Sequence, residues 1–145
     1  MSSKGQNKAP PKELRHLLLD HQRWLSSKGR FGKRLDQEDL SFIDLDLSGI
    51  DLSYAHLPYA QFQGGSVKGA CFVEASLPFA AFYECNVAQA DFSHADLQWA
   101  AFATNHEQAC FADANLHKTA WAREEGAKNA VDYVLTHLTN VPACG

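Results

Sequence analysis

The chain has 145 residues, 46% of them hydrophobic and 21% charged, with a net charge of −4 at neutral pH, which is the size and balance of one globular domain burying a single core. Its opening, MSSKGQNKAPPKE, is polar, and nowhere does it run through the roughly 18 apolar residues that a bilayer span needs, so neither signal peptide nor membrane span is expected and the cytoplasm is the expected location. The cysteines Cys71, Cys85, Cys110 and Cys144 stand far apart without a CxxC pair, which argues against a disulfide framework or a zinc ribbon and for free thiols.

Residues 1–11 are expected to be a flexible amino terminus. The stretch KELRHLLLDHQRWLSS (12–27) follows Pro10 and Pro11, precedes Gly29, and repeats Leu14, Leu17, Leu18, His21, Trp24 and Leu25 at helical spacing, which predicts a helix. Residues 12–39 therefore read as an amino-terminal helical cap and linker. This head is basic, with 9 basic against 5 acidic residues over 1–39, whereas 40–123 carries 3 against 9 and 124–145 carries 1 against 3.

From residue 40 a strict period of five takes over. Large apolar residues stand at Phe42, Leu47, Leu52, Leu57, Phe62, Val67, Phe72, Leu77, Phe82, Val87, Phe92, Leu97 and Phe102, and two residues before each comes a second series that turns small from Ala55 onward. Neither a helix nor a strand returns a side chain to one face every five residues, so the backbone must turn a corner once per repeat. Sorting by twenties places Phe42, Phe62, Phe82 and Phe102 in one column and Leu52, Phe72 and Phe92 in another. Like residues thus recur every fourth corner, which predicts a four-sided coil with equivalent side chains stacked at strand spacing, about 4.8 Å. The small series leaves room for its bulky neighbours, and polar residues just before the centres (Asp46, Asp51, His56, Asn86, Asp91, Asp96, Asn115) suit local hydrogen bonds at turns.

The pattern Ala-(Asp/Asn)-(Leu/Phe)-X-X, seen in ADFSH, ADLQW and ANLHK, resembles that of the pentapeptide repeat proteins, over about residues 40–123. The resemblance implies a mainly β fold: a right-handed quadrilateral parallel β-helix of about four coils, here with an amino-terminal helical cap and a carboxy-terminal helix. After Phe102 the next centre falls on Glu107, and the series resumes at Phe111, Leu116 and Trp121. The polar TNHEQ (104–108), with Asn105, His106 and Glu107, is therefore expected to be a loop at a repeat defect. Ala127, Val131, Val134, Leu135 and Leu138 then predict the second helix, within a tail of 124–145 that closes the far end or pairs with a copy of itself.

Catalysis needs convergent groups in a concave pocket, and a tube filled with its own side chains offers none. The seven histidines show no HExxH spacing, Gly64, Gly65 and Gly69 lie inside repeats rather than in a phosphate loop, and Cys71 and Cys110, stacked with Asp51 and Asp91 near His94, read as solenoid columns. No catalytic residue, metal site or cofactor is expected. What remains is surface. Tyr59, Phe79 and Trp99 fall twenty apart beside Pro58 and Pro78, and exposed aromatics mark contact sites, so the expected function is a non-enzymatic protein-interaction module on a rigid rod.

Family members that protect DNA gyrase from drugs or peptide toxins imply an alternative, a bacterial DNA-mimic binder of a type II topoisomerase that itself contacts no nucleic acid, using Asp44, Asp46, Asp51, Glu74, Glu84, Asp91, Asp96 and Asp113. Against it, duplex DNA carries about a dozen charges over 20 Å, while this tube carries a net −6. A further alternative is a toxin-associated or immunity protein. The expected partner is another protein, a homodimer through the carboxy-terminal helix or the aromatic column is the other expected contact, and no direct binding of nucleic acid is expected.

Overall fold

A computed structural model describes residues 10–122. The expected flexible residues 1–9 and the expected helix over 127–139 lie outside them. Helix α1 spans Lys12–Ser26, directly after Pro11. It ends in a doubly bonded turn in which the Lys28 N–H donates to Leu25 O at 3.2 Å and the Gly29 N–H to Trp24 O at 2.8 Å, with Lys28 at φ 58°. This 5→2, 6→1 pair satisfies carbonyls that the helix end would otherwise orphan.

Five three-residue strands follow: β1 Ser41–Ile43, β2 Gln61–Gln63, β3 Ala81–Tyr83, β4 Ala101–Ala103 and β5 Ala120–Ala122. They form one parallel sheet in chain order, with Phe42 opposite Phe62, Phe62 opposite Phe82, Phe82 opposite Phe102, and Phe102 opposite Trp121. Three further parallel columns run through single bridges: Asp46, Ser66, Asn86; Asp51, Cys71, Asp91, Cys110; and Asp36, His56, Ser76, Asp96, Asn115. The chain thus returns to the same ladder after twenty residues, forming a parallel β-helix.

The period of five has a local cause. Within a typical repeat, the carbonyl of the centre residue accepts from the N–H three residues on, as from Leu52 to Ala55 at 3.1 Å and from Phe92 to Ala95 at 3.0 Å. The third residue of each such turn has positive φ, as at Tyr54 (66°) and His94 (60°), which is the type II requirement. The Asp or Asn before the centre accepts from the N–H two residues later, as Asp91 Oδ1 does from Ser93 at 2.9 Å and Asn86 Oδ1 from Ala88 at 2.9 Å. That is an Asx turn, and it explains the acidic position of the repeat.

Two phenylalanine columns fill the tube from opposite sides. Phe42, Phe62, Phe82 and Phe102 stack at 4.5–4.6 Å, and Phe72, Phe92 and Phe111 at 4.7 and 5.2 Å. The two columns meet edge to face, as Phe82 and Phe92 do at 5.5 Å and 87°, the geometry that aromatic quadrupoles favour. The small series makes this possible. At Gly65, φ is +68° and an added Cβ would strike the Leu45 backbone, so the position admits no side chain.

Leu14, Leu18 and His21 of α1 are buried against this core. The His21 ring bridges two segments: Nδ1 accepts from the Leu35 N–H at 2.9 Å, which leaves Nε2 as the donor to Ser53 O at 3.0 Å. Gln22 Nε2 donates to Asp51 O at 2.8 Å. The helix therefore supplies side-chain donors to carbonyls of the first coil, which has no coil above it to do so.

The structure differs from the expectation at 104–108. The corner residue with positive φ that turns the earlier coils at Asp44, Gly64 and Glu84 has no counterpart after Ala103, so one residue is missing there and later pairings are offset by nineteen, as Asp91 opposite Cys110. Thr104 and His106 are buried instead of extruded. His106 occupies the inward place of Leu47, Val67 and Val87, its carbonyl accepting from Ala109 N–H at 3.1 Å and its ring packing on Trp121 at 4.6 Å. Thr104 Oγ1 donates to Cys85 O at 2.8 Å. Asn105, Glu107 and Gln108 remain outward, the first two joined by a bond from Glu107 N–H to Asn105 Oδ1 at 3.1 Å.

Candidate functional site

Tyr59, Phe79 and Trp99 occupy one outer corner of the β-helix. They remain 48%, 43% and 51% exposed while stacking nearly parallel, Tyr59 on Phe79 at 4.8 Å and Phe79 on Trp99 at 6.0 Å. His117 meets Trp99 edge-on at 6.4 Å and closes the column from below. The backbone of each is fixed by its N–H, donated at 3.0–3.1 Å to Pro78 O, Gln98 O and His117 O respectively. All three have φ of 62–63°, the left-handed region in which a bulky residue costs about 1 kcal/mol or more. Stacking returns about 0.5–1.5 kcal/mol per pair. Glycine occupies the matching place at Gly49 and Gly69 on another corner, so the aromatic choice here is not imposed by the turn.

The acidic candidates divide into two sets. Asp46, Asp51, Asp91 and Asp96 each accept the N–H two residues on, and therefore serve the turns. The bonds from Ser48 hold the Asp46 carboxyl below the ordinary aspartate range. Asp44, Glu74, Glu84 and Asp113 sit at positive-φ corner positions, Asp44 and Glu84 on one corner, Glu74 and Asp113 on another, where Asp113 approaches His94 at 3.7 Å. The structure does not gather these eight carboxylates on one face.

Among the described residues, no group of three or more His, Cys, Asp or Glu stands close enough to hold a metal ion. A groove of about 250 Å³ between the first turn of α1 and the segment Gln37–Ser41 has Glu13 as its one titratable lining residue. Cys71 and Cys85 carry free thiols, and burial pushes the Cys85 thiol up to about 12. Cys110 is disulfide-bonded, which corrects the expectation of free thiols at that position. Among the described residues, no helix is long and apolar enough to cross a membrane.

Two features escaped sequence reasoning. The inward turn of His106 left no signal, because the polar TNHEQ hides a shortened corner. The exposure of Phe31, 66%, was legible in principle from its place between glycines and cations.

Residues 70–103 match the family described as Pentapeptide repeats, in eight copies. No curated protein sequence matches the chain. Among solved structures, the chain is similar to HetL, a pentapeptide repeat protein involved in heterocyst differentiation regulation in the cyanobacterium Nostoc sp. Strain PCC 7120, with 24% identity over 68% of this chain and a TM-score of 0.47; it spans 44% of that protein. It is also similar to Rfr23 of the cyanobacterium Cyanothece 51142, with 20% identity over 64% of this chain and 68% of that one and a TM-score of 0.32. QnrB1, a plasmid-mediated fluoroquinolone resistance protein, shares 16% identity over 79% of this chain and 72% of that one, with a TM-score of 0.28.

Proposed function

For a chain of the pentapeptide repeat family, which this is, we propose a non-enzymatic protein-interaction module whose contact surface is the aromatic corner of Tyr59, Phe79 and Trp99. The observation that carries this reading is the pairing of exposure with backbone cost: three large rings kept at left-handed positions, stacked in register and half open to solvent. Aromatic side chains held rigid in this way lose little entropy on binding, which favours them as contact anchors. The partner is another protein or a second copy of the chain.

The proposed module consists of a helical cap and linker (12–39) and a right-handed quadrilateral rod of about four coils (40–123); residues 1–9 of the expected amino-terminal segment (1–11) and all of the tail (124–145), the second expected route to a homodimer, lie outside the described residues. The hydrogen bonds from His21 and Gln22 to the carbonyls of Ser53 and Asp51 support the capping role of α1.

The test replaces Tyr59, Phe79 and Trp99 together with Asn, which removes the apolar edge and tolerates positive φ. Capture of the partner from the native host, or self-association of the purified chain, is expected to be lost while the far-ultraviolet circular-dichroism spectrum is unchanged. Association at its original strength in the triple variant would sink the proposal.

The DNA-mimic reading, with a topoisomerase as partner, finds its support in the net −6 of residues 40–123. Four of the eight carboxylates are occupied in Asx turns and the other four stand on two corners, so the interaction-module reading is the better supported. Gyrase supercoiling unaffected by micromolar protein, with no rescue from drug, would dispose of the mimic.

A further inference from the structure

The end of the molecule that carries α1 presents a surface unlike the rest. Between Arg23 and Arg34 the chain holds Arg23, Lys28, Arg30, Lys33 and Arg34 and no acidic residue, and all five are exposed. Arg34 reaches Asp36 at 3.5 Å; the other four make no ion pair among the described residues. Set in their midst is Phe31, the most exposed large apolar residue of the described chain at 66%.

This is a built loop. Phe31 N–H donates to Ser27 Oγ at 2.8 Å and Ser27 Oγ bonds Phe31 O at 3.1 Å, so the backbone of Phe31 is held on both sides. Lys33 N–H donates to Asp20 O at 3.1 Å. At Gly32, φ is +74°, and an added Cβ would collide with Asp20 O, Trp24 N and Arg23 Cβ. The loop is thus pressed at Gly32 against Asp20, Arg23 and Trp24 of α1. With its backbone pinned and its ring outward, Phe31 loses little freedom when something stacks on it.

We propose that this head, through Arg23, Lys28, Arg30, Lys33 and Phe31, binds single-stranded nucleic acid, the cations contacting phosphates and the Phe31 ring stacking on an unpaired base. Clustered cations around an exposed aromatic ring are the arrangement by which single strands are held without sequence readout. A duplex keeps its bases stacked on one another and offers Phe31 no free face. An anionic membrane is the poorer fit, because the apolar face of α1 is spent on the core through Leu14, Leu18 and His21, and Leu19 and Phe31 alone do not make the broad apolar face that interfacial helices bury. The negative charge of residues 40–123 repels a polyanion and confines contact to the head. Contact of nucleic acid with the head departs from the expectation, drawn for the whole chain, that no nucleic acid is bound directly.

The experiment uses the full chain, a fluorescently labelled oligothymidylate of about 12 nucleotides, a duplex of the same length, and vesicles of phosphatidylcholine with phosphatidylserine. In about 50 mM salt the single strand is expected to bind, with log affinity falling against log salt at a slope of about −2 to −3 for three to four phosphate contacts. Phe31→Ala is expected to weaken the single strand by about 5- to 100-fold without changing that slope, Phe31→Trp to retain affinity, and Lys28→Gln with Arg30→Gln and Lys33→Gln to flatten the slope by about 2. Circular dichroism of each variant checks that the fold is kept. Absence of binding at about 100 µM protein, equal affinity in Phe31→Ala and the unaltered chain, or preference for duplex or vesicles would each overturn the proposal.

Discussion

Single residues carry unequal shares of this fold. Phe82 is fully buried, stacked between Phe62 and Phe102 and met edge-on by Phe72 and Phe92. Phe82→Ala leaves a gap that flat neighbouring rings, locked in their ladders, cannot collapse to fill, and should cost about 3–5 kcal/mol. The denaturant midpoint measures this, and a loss of less than about 1 kcal/mol would contradict the packing described. His21 shows the opposite chemistry, a polar ring fully buried and satisfied at both nitrogens. Burial lowers its pKa, overriding the opposing bond to Ser53 and the nearby Asp51 charge, with Arg34 adding to the depression. The folded chain therefore prefers the neutral ring. Its contribution to stability is whole above the ordinary value of 6.5 and is lost as pH falls from there through the lowered folded value. Urea midpoints at several pH values are expected to fall in that window for the unaltered chain and to flatten there in His21→Gln; equal slopes in the two proteins would remove His21 as the cause.

At the scale of elements, each strand is only three residues long and has no stability of its own; what holds it is the coil above and the coil below. At the first coil, Leu14 and Leu18 of α1 pack on the core, and Gln22 and His21 donate to the carbonyls of Asp51 and Ser53. Open ladder edges template association between chains. Leu14→Ser combined with Leu18→Ser is therefore expected to raise the scattering mass of the protein in a concentration-dependent way, and a mass equal to that of the unaltered chain would show that α1 does not guard this edge. The shortened corner after Ala103 shows the same dependence on neighbours. The coil loses its corner residue, yet Thr104 and His106 turn inward and the following ladder resumes at Cys110 opposite Asp91, because the hydrogen-bonding template of the coil above outweighs a local loss of register.

The whole molecule joins two unlike surfaces. The rod displays an aromatic corner over a net negative tract, while the head displays exposed cations around Phe31. Their expected contacts respond differently to salt: polyanion binding at the head weakens steeply as salt rises, whereas contact through Tyr59, Phe79 and Trp99 rests on apolar area and changes little. The Asn triple variant and Phe31→Ala therefore separate the two surfaces, each expected to remove one binding activity and leave the other.

Much of this was legible in the chain itself. The period of five fixed where corners fall, and the recurrence of like residues at twenty fixed which side chains stack, because a repeat with one hydrogen-bonding pattern leaves the backbone few alternatives. The helical spacing of Leu14, Leu18 and His21 likewise marked the buried face of α1. The columns also placed Tyr59, Phe79 and Trp99 on one corner. Tertiary structure alone decided the rest. His106 looks like loop and proves to be core; the backbone of Phe31 proves to be pinned on both sides by Ser27 within a basic loop. In each case a side chain's fate was set by which backbone groups lay opposite it one coil, or one helix turn, away, and that distance is not written along the chain.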